Sequence, residues 1–169
     1  WTNLLQSHSP RRILDEYMRI FGHCVEKVYG EKFSRSLVDC DVCHRGMGDR
    51  KQKVQTDWQF VANTPATDEG TTVRDPHVDN PIELFAGLWY FPEIKEVDSG
   101  GQLELCNVSE PVKFHRSKWG KGSVSREQIE NVADTVLYHP DTLVLFMNTP
   151  WSVHGVTDRI PNAPIRKYV

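Results

Sequence analysis

The sequence predicts a mainly β fold, a jelly roll or barrel of short strands preceded by one amphipathic helix. Eight short segments rich in Val, Leu, Trp, Phe and Tyr are bounded by Pro, Gly, Asn and Asp, a pattern typical of strands separated by turns. Ten prolines and eleven glycines spread along the chain agree with many turns. The predicted strands are residues 54–62, 71–78, 84–91, 102–108, 135–138, 142–148, 151–156 and 165–169.

Apolar residues recur at helical spacing near the start of the chain, which predicts an amphipathic helix over residues 10–29. Ser9 before Pro10 is typical of a helix start, and Gly30 is typical of a helix end. A short second helix is predicted at Ser125, where a capping box begins inside a basic insertion over residues 109–133. This insertion is either a solvated loop or a lid over a substrate pocket.

Length and charge restrict the class of protein. We expect a single domain of 169 residues, with residues 1–53 as a helical buttress and residues 54–169 as the β core. The 20 Lys and Arg against 23 Asp and Glu give a net charge of −3, which disfavours nucleic acid as a partner. No apolar run approaches the roughly 20 residues of a membrane span. Trp1 opens the chain without a charged-then-apolar leader, so we expect a processed chain or fragment of cytoplasmic location.

Two histidines and an aspartate form the clearest chemical pattern. His77 and Asp79 lie two residues apart on a predicted strand, so their side chains point to the same face. His154 lies on a later strand, which the sheet must bring round. Two histidines and one carboxylate form the facial triad of non-haem Fe(II) oxygenases, which leaves three metal positions open.

An arginine on the last predicted strand extends this pattern. Arg166 follows His154 by twelve residues, and its guanidinium could face back towards the metal. Arginine suits a bidentate grip on a carboxylate in a partly dry site. A chelating keto acid with a distal carboxylate would use this arrangement.

The motifs occur in a recognisable order: segments 77–79, 84–91, 99–105, 141–146 and 154–156, and then Arg166. Over residues 70–169 the chain resembles the 2-oxoglutarate/Fe(II)-dependent oxygenases of the prolyl-hydroxylase-like superfamily. The resemblance implies a double-stranded β-helix in which His77, Asp79 and His154 bind iron and Arg166 binds the distal carboxylate of 2-oxoglutarate. It also implies a hydroxylase that consumes O2 and 2-oxoglutarate and releases succinate and CO2.

Two features depart from that family. Tyr168 stands where many relatives place a Ser or Thr that touches the co-substrate, and we expect its phenol to supply this bond. The chain stops three residues after Arg166, whereas the family barrel often continues, so we expect a truncated C-terminus. The substrate is an unknown small molecule or peptidyl group. Trp151, near His154, and Trp119, in the basic insertion, are expected to line its pocket.

Other residues offer rival ligand pairs. Asp75 shares a face with His77, but the proline between them disturbs a strand, so Asp79 is favoured as the ligand. His139 and Asp141 also flank a proline, and their position before a predicted strand indicates a turn.

A cysteine motif and two further protein classes are also open. Cys40, Cys43 and His44 match the C-x-x-C-H pattern of covalent haem attachment, and they could contribute to a zinc site. Ordinary thiols on or near a strand are the favoured interpretation. A cupin-type metal enzyme and a non-catalytic jelly-roll binding module are the alternative functions, although the order of His, Asp, His and Arg has no role in the binding module.

Overall fold

The computed structural model describes residues 9–47, 54–67, 69, 75–113 and 122–169. Within these ranges the chain is mainly β, with two α-helices and several small antiparallel sheets. The chain divides into two compact units, Trp1–Trp58 and Gln59–Val169. Neither described helix combines the length and the apolar composition that a membrane span requires.

The first unit begins with two consecutive helices. Helix α1 (Pro10–Tyr29) has the predicted bounds, because the Ser9 hydroxyl accepts a hydrogen bond from a backbone N–H of the first turn. Gly30 ends it at a φ of 86°, a conformation that favours glycine. Helix α2 (Glu31–Val38) follows at once and is missing from the prediction, since Gly30 was expected to end the helical region.

A parallel strand pair lies in the same unit. Strand β1 (Val42–His44) pairs with β2 (Val54–Thr56). The prediction of one strand over residues 54–62 is wrong, because β3 (Val61–Asn63) belongs to the second unit and pairs with a different strand. One continuous stretch of strand-forming residues therefore serves two separate sheets.

The second unit contains a five-stranded antiparallel sheet whose strands lie in the order β7 (Gly122–Ser123), β4 (His77–Val78), β10 (His154–Val156), β6 (Leu103–Val108) and β8 (Ile129–Val136). His154 pairs directly with His77 on one side and with Leu105 on the other. The two histidines are therefore neighbours across adjacent strands.

The remaining strands of this unit pair as β3 with β11 (Arg166–Tyr168) and as β5 (Phe85–Trp89) with β9 (Leu143–Met147). The two pairs are joined, because Trp89 and Val169 exchange backbone hydrogen bonds of 2.8 and 3.0 Å. An isolated bridge between Tyr90 and Tyr168 extends this contact. The strands thus follow one another in the order β3–β11–β5–β9.

Apart from the divided segment 54–62, the predicted strands are present in shortened form, and two of them differ further from the prediction. Of the predicted strand over 135–138, only residues 135–136 form strand, as the end of the longer β8. Of the segment 71–78, only residues 77–78 form a strand, and residues 71–74 lie outside the described ranges. The capping box at Ser125 is confirmed and begins one turn of 3-10 helix, Arg126–Gln128. The chain then enters β8, because Ile129 pairs with a residue of β6.

A small apolar cluster fixes the orientation of β4. Val78 is fully buried in it, and since successive strand residues point to opposite faces, His77 must point away from the cluster. The burial of one valine side chain therefore determines which face carries the histidine. The other buried members are Cys106, Val108, Val124 and Val153.

Candidate metal centre

His77, Asp79 and His154 come together at one end of the five-stranded sheet. Each residue offers one ligand atom, and these atoms all lie within 4.8 Å of one another. The antiparallel pairing of β4 with β10 places the two imidazole rings 4.5 Å apart, and Asp79 directly follows β4. Residues separated by more than seventy positions in the sequence thus become neighbours through a single strand pairing.

The distances within this group suit a shared ion. One carboxylate oxygen of Asp79 lies 3.8 Å from Nε2 of His77, and the other lies 3.6 Å from Nε2 of His154. Bonds of about 2.1 Å to a common metal would place neighbouring ligand atoms about 3 Å apart. Shifts of less than about 1 Å would therefore bring all three side chains onto one ion.

The backbone orients both histidines for this role. Nδ1 of His77 lies 2.6 Å from the carbonyl oxygen of Asp75, and Nδ1 of His154 lies 3.1 Å from that of Ser152. A carbonyl oxygen only accepts hydrogen bonds, so each Nδ1 carries a proton, and the neutral imidazole then presents its lone pair at Nε2. Such contacts are the usual means by which proteins fix the tautomer of a ligating histidine. Asp75 therefore contributes its backbone carbonyl, while its own side chain is exposed.

The group is well shielded from solvent. His77 is 4% exposed, His154 is 6% exposed, and the Asp79 side chain is 13% exposed. Concentrating imidazoles and a carboxylate in a dry site costs desolvation free energy, and a bound cation would offset this cost.

Arg166 lies in a cage of tyrosine rings. The carbon atom of its guanidinium is 5.1 Å from the ring centre of Tyr90, 4.8 Å from that of Tyr138 and 5.6 Å from that of Tyr168. These distances are within the range of cation–π attraction. Tyr138 is fixed in turn, because its hydroxyl exchanges hydrogen bonds with the backbone of Lys167. The Tyr138 ring is therefore held in position beside the Arg166 guanidinium.

The cage contains hydrogen-bond donors that lack acceptors. Among the described residues, Nε of Arg166, Nε of Arg159 and the hydroxyl of Tyr90 are buried without a hydrogen-bond partner. No carboxylate of the described residues forms an ion pair with Arg166. Burial raises the pKa of Tyr90, so the phenol keeps its proton and can donate. Three donors without an acceptor favour an anion as the missing partner.

Arg159 is a second buried guanidinium in this region. It donates hydrogen bonds to the carbonyl oxygens of Thr64 and Pro164 and is 3% exposed. Burial lowers its pKa, and the positive charge of Arg166 lowers it further. The side chains of Arg159 and Arg166 lie near one another, because both approach the same side of Gly101.

Two adjacent glycines allow close packing in this region, Gly100 against the backbone of residues 158–159 and Gly101 against the side chains of Arg159 and Arg166. Gly100 and Gly101 have φ values of 75° and 77°. A Cβ atom on Gly101 would lie 3.3 Å from Cγ of Arg159 and 3.6 Å from Nη1 of Arg166. Both glycines belong to the segment 99–105 that supports the family resemblance, and the structure gives the physical reason for them.

A buried asparagine holds the turn that follows Asp79. The side-chain amide of Asn148 donates hydrogen bonds to the carbonyl oxygens of Asn80, at 2.8 Å, and of Glu83, at 2.9 Å. It thereby fixes the chain directly after a candidate ligand. Asn148, Arg159, Tyr90 and Tyr138 are absent from the sequence-based set, because no local pattern distinguishes them from ordinary turn or core residues.

The structure places only some of the residues that the sequence predicts for the substrate and co-substrate pockets. Trp151 is 54% exposed and lines a pocket of about 210 Å³ that also includes His154. Trp119 lies outside the described residues. Tyr168 shares a strand face with Arg166, and its ring also packs edge-on against Tyr90, with centres 6.5 Å apart.

The rival motifs do not assemble into sites. His139 and Asp141 are exposed in a turn, where Asp141 has a φ of 58°. The Cys40 thiol donates to a helix carbonyl at 3.4 Å, and Nδ1 of His44 lies 2.9 Å from the Thr56 hydroxyl. In the described part of the chain, His77, Asp79 and His154 are the one cluster whose geometry suits a metal ion.

This chain matches no protein-family model, no curated protein and no solved structure. The functional argument therefore depends on the arrangement of its own residues.

Proposed function

We propose that this protein is a 2-oxoglutarate- and Fe(II)-dependent oxygenase that hydroxylates an unactivated C–H bond of its substrate. The single observation that carries the proposal is the convergence of His77, Asp79 and His154, with ligand atoms within 4.8 Å of one another. A set of two imidazoles and one carboxylate, without a thiolate, is the facial triad of non-haem Fe(II) oxygenases.

The strand order supports a double-stranded β-helix. The five-stranded sheet has the order β7–β4–β10–β6–β8, and the remaining strands lie side by side in the order β3–β11–β5–β9. Successive strands alternate between the two groups, except that β6, β7 and β8 follow one another in the chain and all belong to the five-stranded sheet. Phe146 of β9 contacts His154 of β10 with ring centres 4.8 Å apart, so the two groups meet at the metal site. Such alternation is typical of jelly rolls.

The caged guanidinium supports 2-oxoglutarate as the co-substrate. Arg166 would bind the distal carboxylate through its unpartnered Nε, and the protonated Tyr90 hydroxyl would donate a further hydrogen bond. Tyr168, on the same strand face, lies against the same guanidinium. The three tyrosine rings keep water away from this ion pair and strengthen it.

Within the proposed site each residue has a defined task. Fe(II), when bound with 2-oxoglutarate, supplies O2 activation coupled to decarboxylation of the keto acid to succinate and CO2. His77 and His154 present Nε2 in the correct tautomer because the backbone holds Nδ1–H. Asp79 provides the charge that balances the metal, and Asn148 holds the turn behind it.

Anaerobic titration with Fe(II) and 2-oxoglutarate tests the proposal. A keto acid chelated to Fe(II) through two oxygen atoms gives a visible charge-transfer band, which we expect for the unmodified chain. Asp79→Ala should abolish the band, whereas Asp75→Ala is the matched control, because only the Asp75 backbone carbonyl contacts His77. Arg166→Met should weaken 2-oxoglutarate binding far more than Fe(II) binding.

The same titration separates the other two classes. Fe(II) binding without affinity for 2-oxoglutarate would overturn the oxygenase and favour a cupin-type metal enzyme. A chain that binds no metal would instead be a non-catalytic jelly-roll binding module. Conversion of 2-oxoglutarate to succinate by the aerobic Fe(II) protein, lost in Asp79→Ala, would support the oxygenase directly.

A further inference from the structure

The pocket beside the metal centre has an apolar and uncharged lining. It adjoins His154 and has a volume of about 210 Å³. Among the described residues no Asp, Glu, Lys or Arg lines it. The lining residues are Leu105, Asn107, Ala133, Phe146, Trp151 and Val153, together with Cys106, Ser152 and His154.

Three polar side chains of this pocket, Ser152, Asn107 and His154, already take part in contacts outside it. The Ser152 hydroxyl donates to the carbonyl oxygen of Met147 at 2.7 Å and accepts from the backbone N–H of Thr149 at 3.1 Å. The side-chain amide of Asn107 donates to Asn131 at 3.0 Å. His154 directs Nε2 towards Asp79 and the candidate metal. The pocket therefore offers shape and apolar contact rather than a charged partner.

The volume and the exposed tryptophan indicate the size of the occupant. A cavity of about 150 Å³ lined by apolar side chains is sufficient to hold benzene. A space of about 210 Å³ therefore holds one ring or one branched aliphatic group. Trp151, which is 54% exposed, provides a broad aromatic surface against which such a group can pack.

We propose that the group of the primary substrate that lies next to the metal is small, uncharged and apolar, an aromatic ring or a branched aliphatic chain packed between Trp151, Phe146 and Leu105. This inference rests on the proposed oxygenase function. A carboxylate or ammonium packed among the residues that line this pocket would lose its hydration without gaining a charged partner from them, so charged groups are selected against. The shared chemistry fits either a free small molecule or an apolar side chain of a peptide.

Three probes of nearly equal shape test the inference on the full chain without metal. Benzyl alcohol, benzoate and benzylammonium differ chiefly in charge, and their binding is measured by saturation-transfer NMR titration. We expect benzyl alcohol to bind at least about tenfold more tightly than either ion. Equal or tighter binding of an ion would overturn the inference.

Substitutions in the pocket locate the binding. Trp151→Ala should weaken binding of benzyl alcohol at least about fivefold. Trp89→Phe is the matched control, because Trp89 packs against Phe91 and does not line the pocket. Undiminished affinity in Trp151→Ala would overturn the proposed location.

A charge placed in the wall should invert the preference. Ala133 is exposed on β8, so Ala133→Glu is compatible with the fold and should admit benzylammonium while weakening benzyl alcohol. Ala133→Gln has the same length without the charge and should keep the preference of the unmodified chain. An Ala133→Glu variant that leaves the order of the three probes unchanged would contradict the inference.

A parallel Fe(II) titration keeps the two proposals separate. If the chain prefers the neutral probe but does not bind Fe(II), the oxygenase proposal is overturned and the apolar binding pocket remains. Fe(II) and 2-oxoglutarate binding together with preference for an ion would overturn the substrate class alone. Comparison of N-acetyl-phenylalaninamide with benzyl alcohol then distinguishes a peptidyl source of the apolar group from a free small molecule.

Discussion

Replacing Arg166 with methionine tests whether its buried guanidinium serves ligand binding rather than folding. The residue is 4% exposed, and burying a cation without a carboxylate costs several kcal/mol. Three tyrosine contacts at 4.8–5.6 Å offset this cost, since each desolvated cation–π contact contributes about 1–2 kcal/mol. The two effects nearly cancel. Arg166→Met should therefore change the free energy of unfolding by less than about 1 kcal/mol.

Arg159 provides the matched comparison. It is 3% exposed, but its guanidinium donates hydrogen bonds to the carbonyl oxygens of Thr64 and Pro164. Hydrogen bonds from a charged donor contribute about 1.5–3 kcal/mol each, and their loss leaves two carbonyl groups without partners. Arg159→Met should therefore lower the free energy of unfolding by at least about 3 kcal/mol.

Urea unfolding of the metal-free full chain, followed by tryptophan fluorescence, measures both changes. We expect a clear separation, with Arg166→Met close to the unmodified chain in stability yet deficient in 2-oxoglutarate binding. If Arg166→Met loses as much stability as Arg159→Met, the guanidinium holds the fold together. Its burial would then be no sign of a missing anion, and the reasoning from unpartnered donors would fail.

Three further predictions concern single side chains. Gly100→Ala should lower the free energy of unfolding by at least about 3 kcal/mol, because its Cβ would lie 2.3 Å from a backbone carbonyl oxygen. Gly101→Ala should lower it by only about 1–2 kcal/mol. Urea unfolding compares the two variants, and equal losses would contradict the contact distances. Burial raises the pKa of Tyr17 to about 12, so folding holds a proton that the unfolded chain releases above about pH 10. The free energy of unfolding should therefore fall between about pH 10 and about pH 12. Tyr17→Phe should reduce the slope of this free energy against pH by about 1.4 kcal/mol per pH unit, and an unchanged slope would contradict the reasoning. Burial also raises the pKa of the Cys106 thiol, so iodoacetamide at neutral pH should modify Cys24 about tenfold faster than Cys106. Mass spectrometry measures both rates, and equal rates would contradict the burial of Cys106.

Local patterns were sufficient for several elements of this fold. Helix α1 follows from apolar spacing, a serine cap and a terminal glycine, all of which act within a few residues. Helix α2 was missed because a glycine that ends one helix can also begin the next. The division of residues 54–62 between β2 and β3 was missed because the choice of partner strand depends on distant sequence.

The sequence by itself determined the candidate ligands His77, Asp79 and His154, because histidine and carboxylate in this order are a chemical signal that needs no coordinates. Only the tertiary structure decided that β10 pairs with β4, which brings His154 beside His77. It alone surrounded Arg166 with tyrosine rings and left its Nε without a partner among the described residues. Ligand identity is a property of single side chains, whereas proximity, burial and missing partners are properties of long-range packing, which no local pattern encodes.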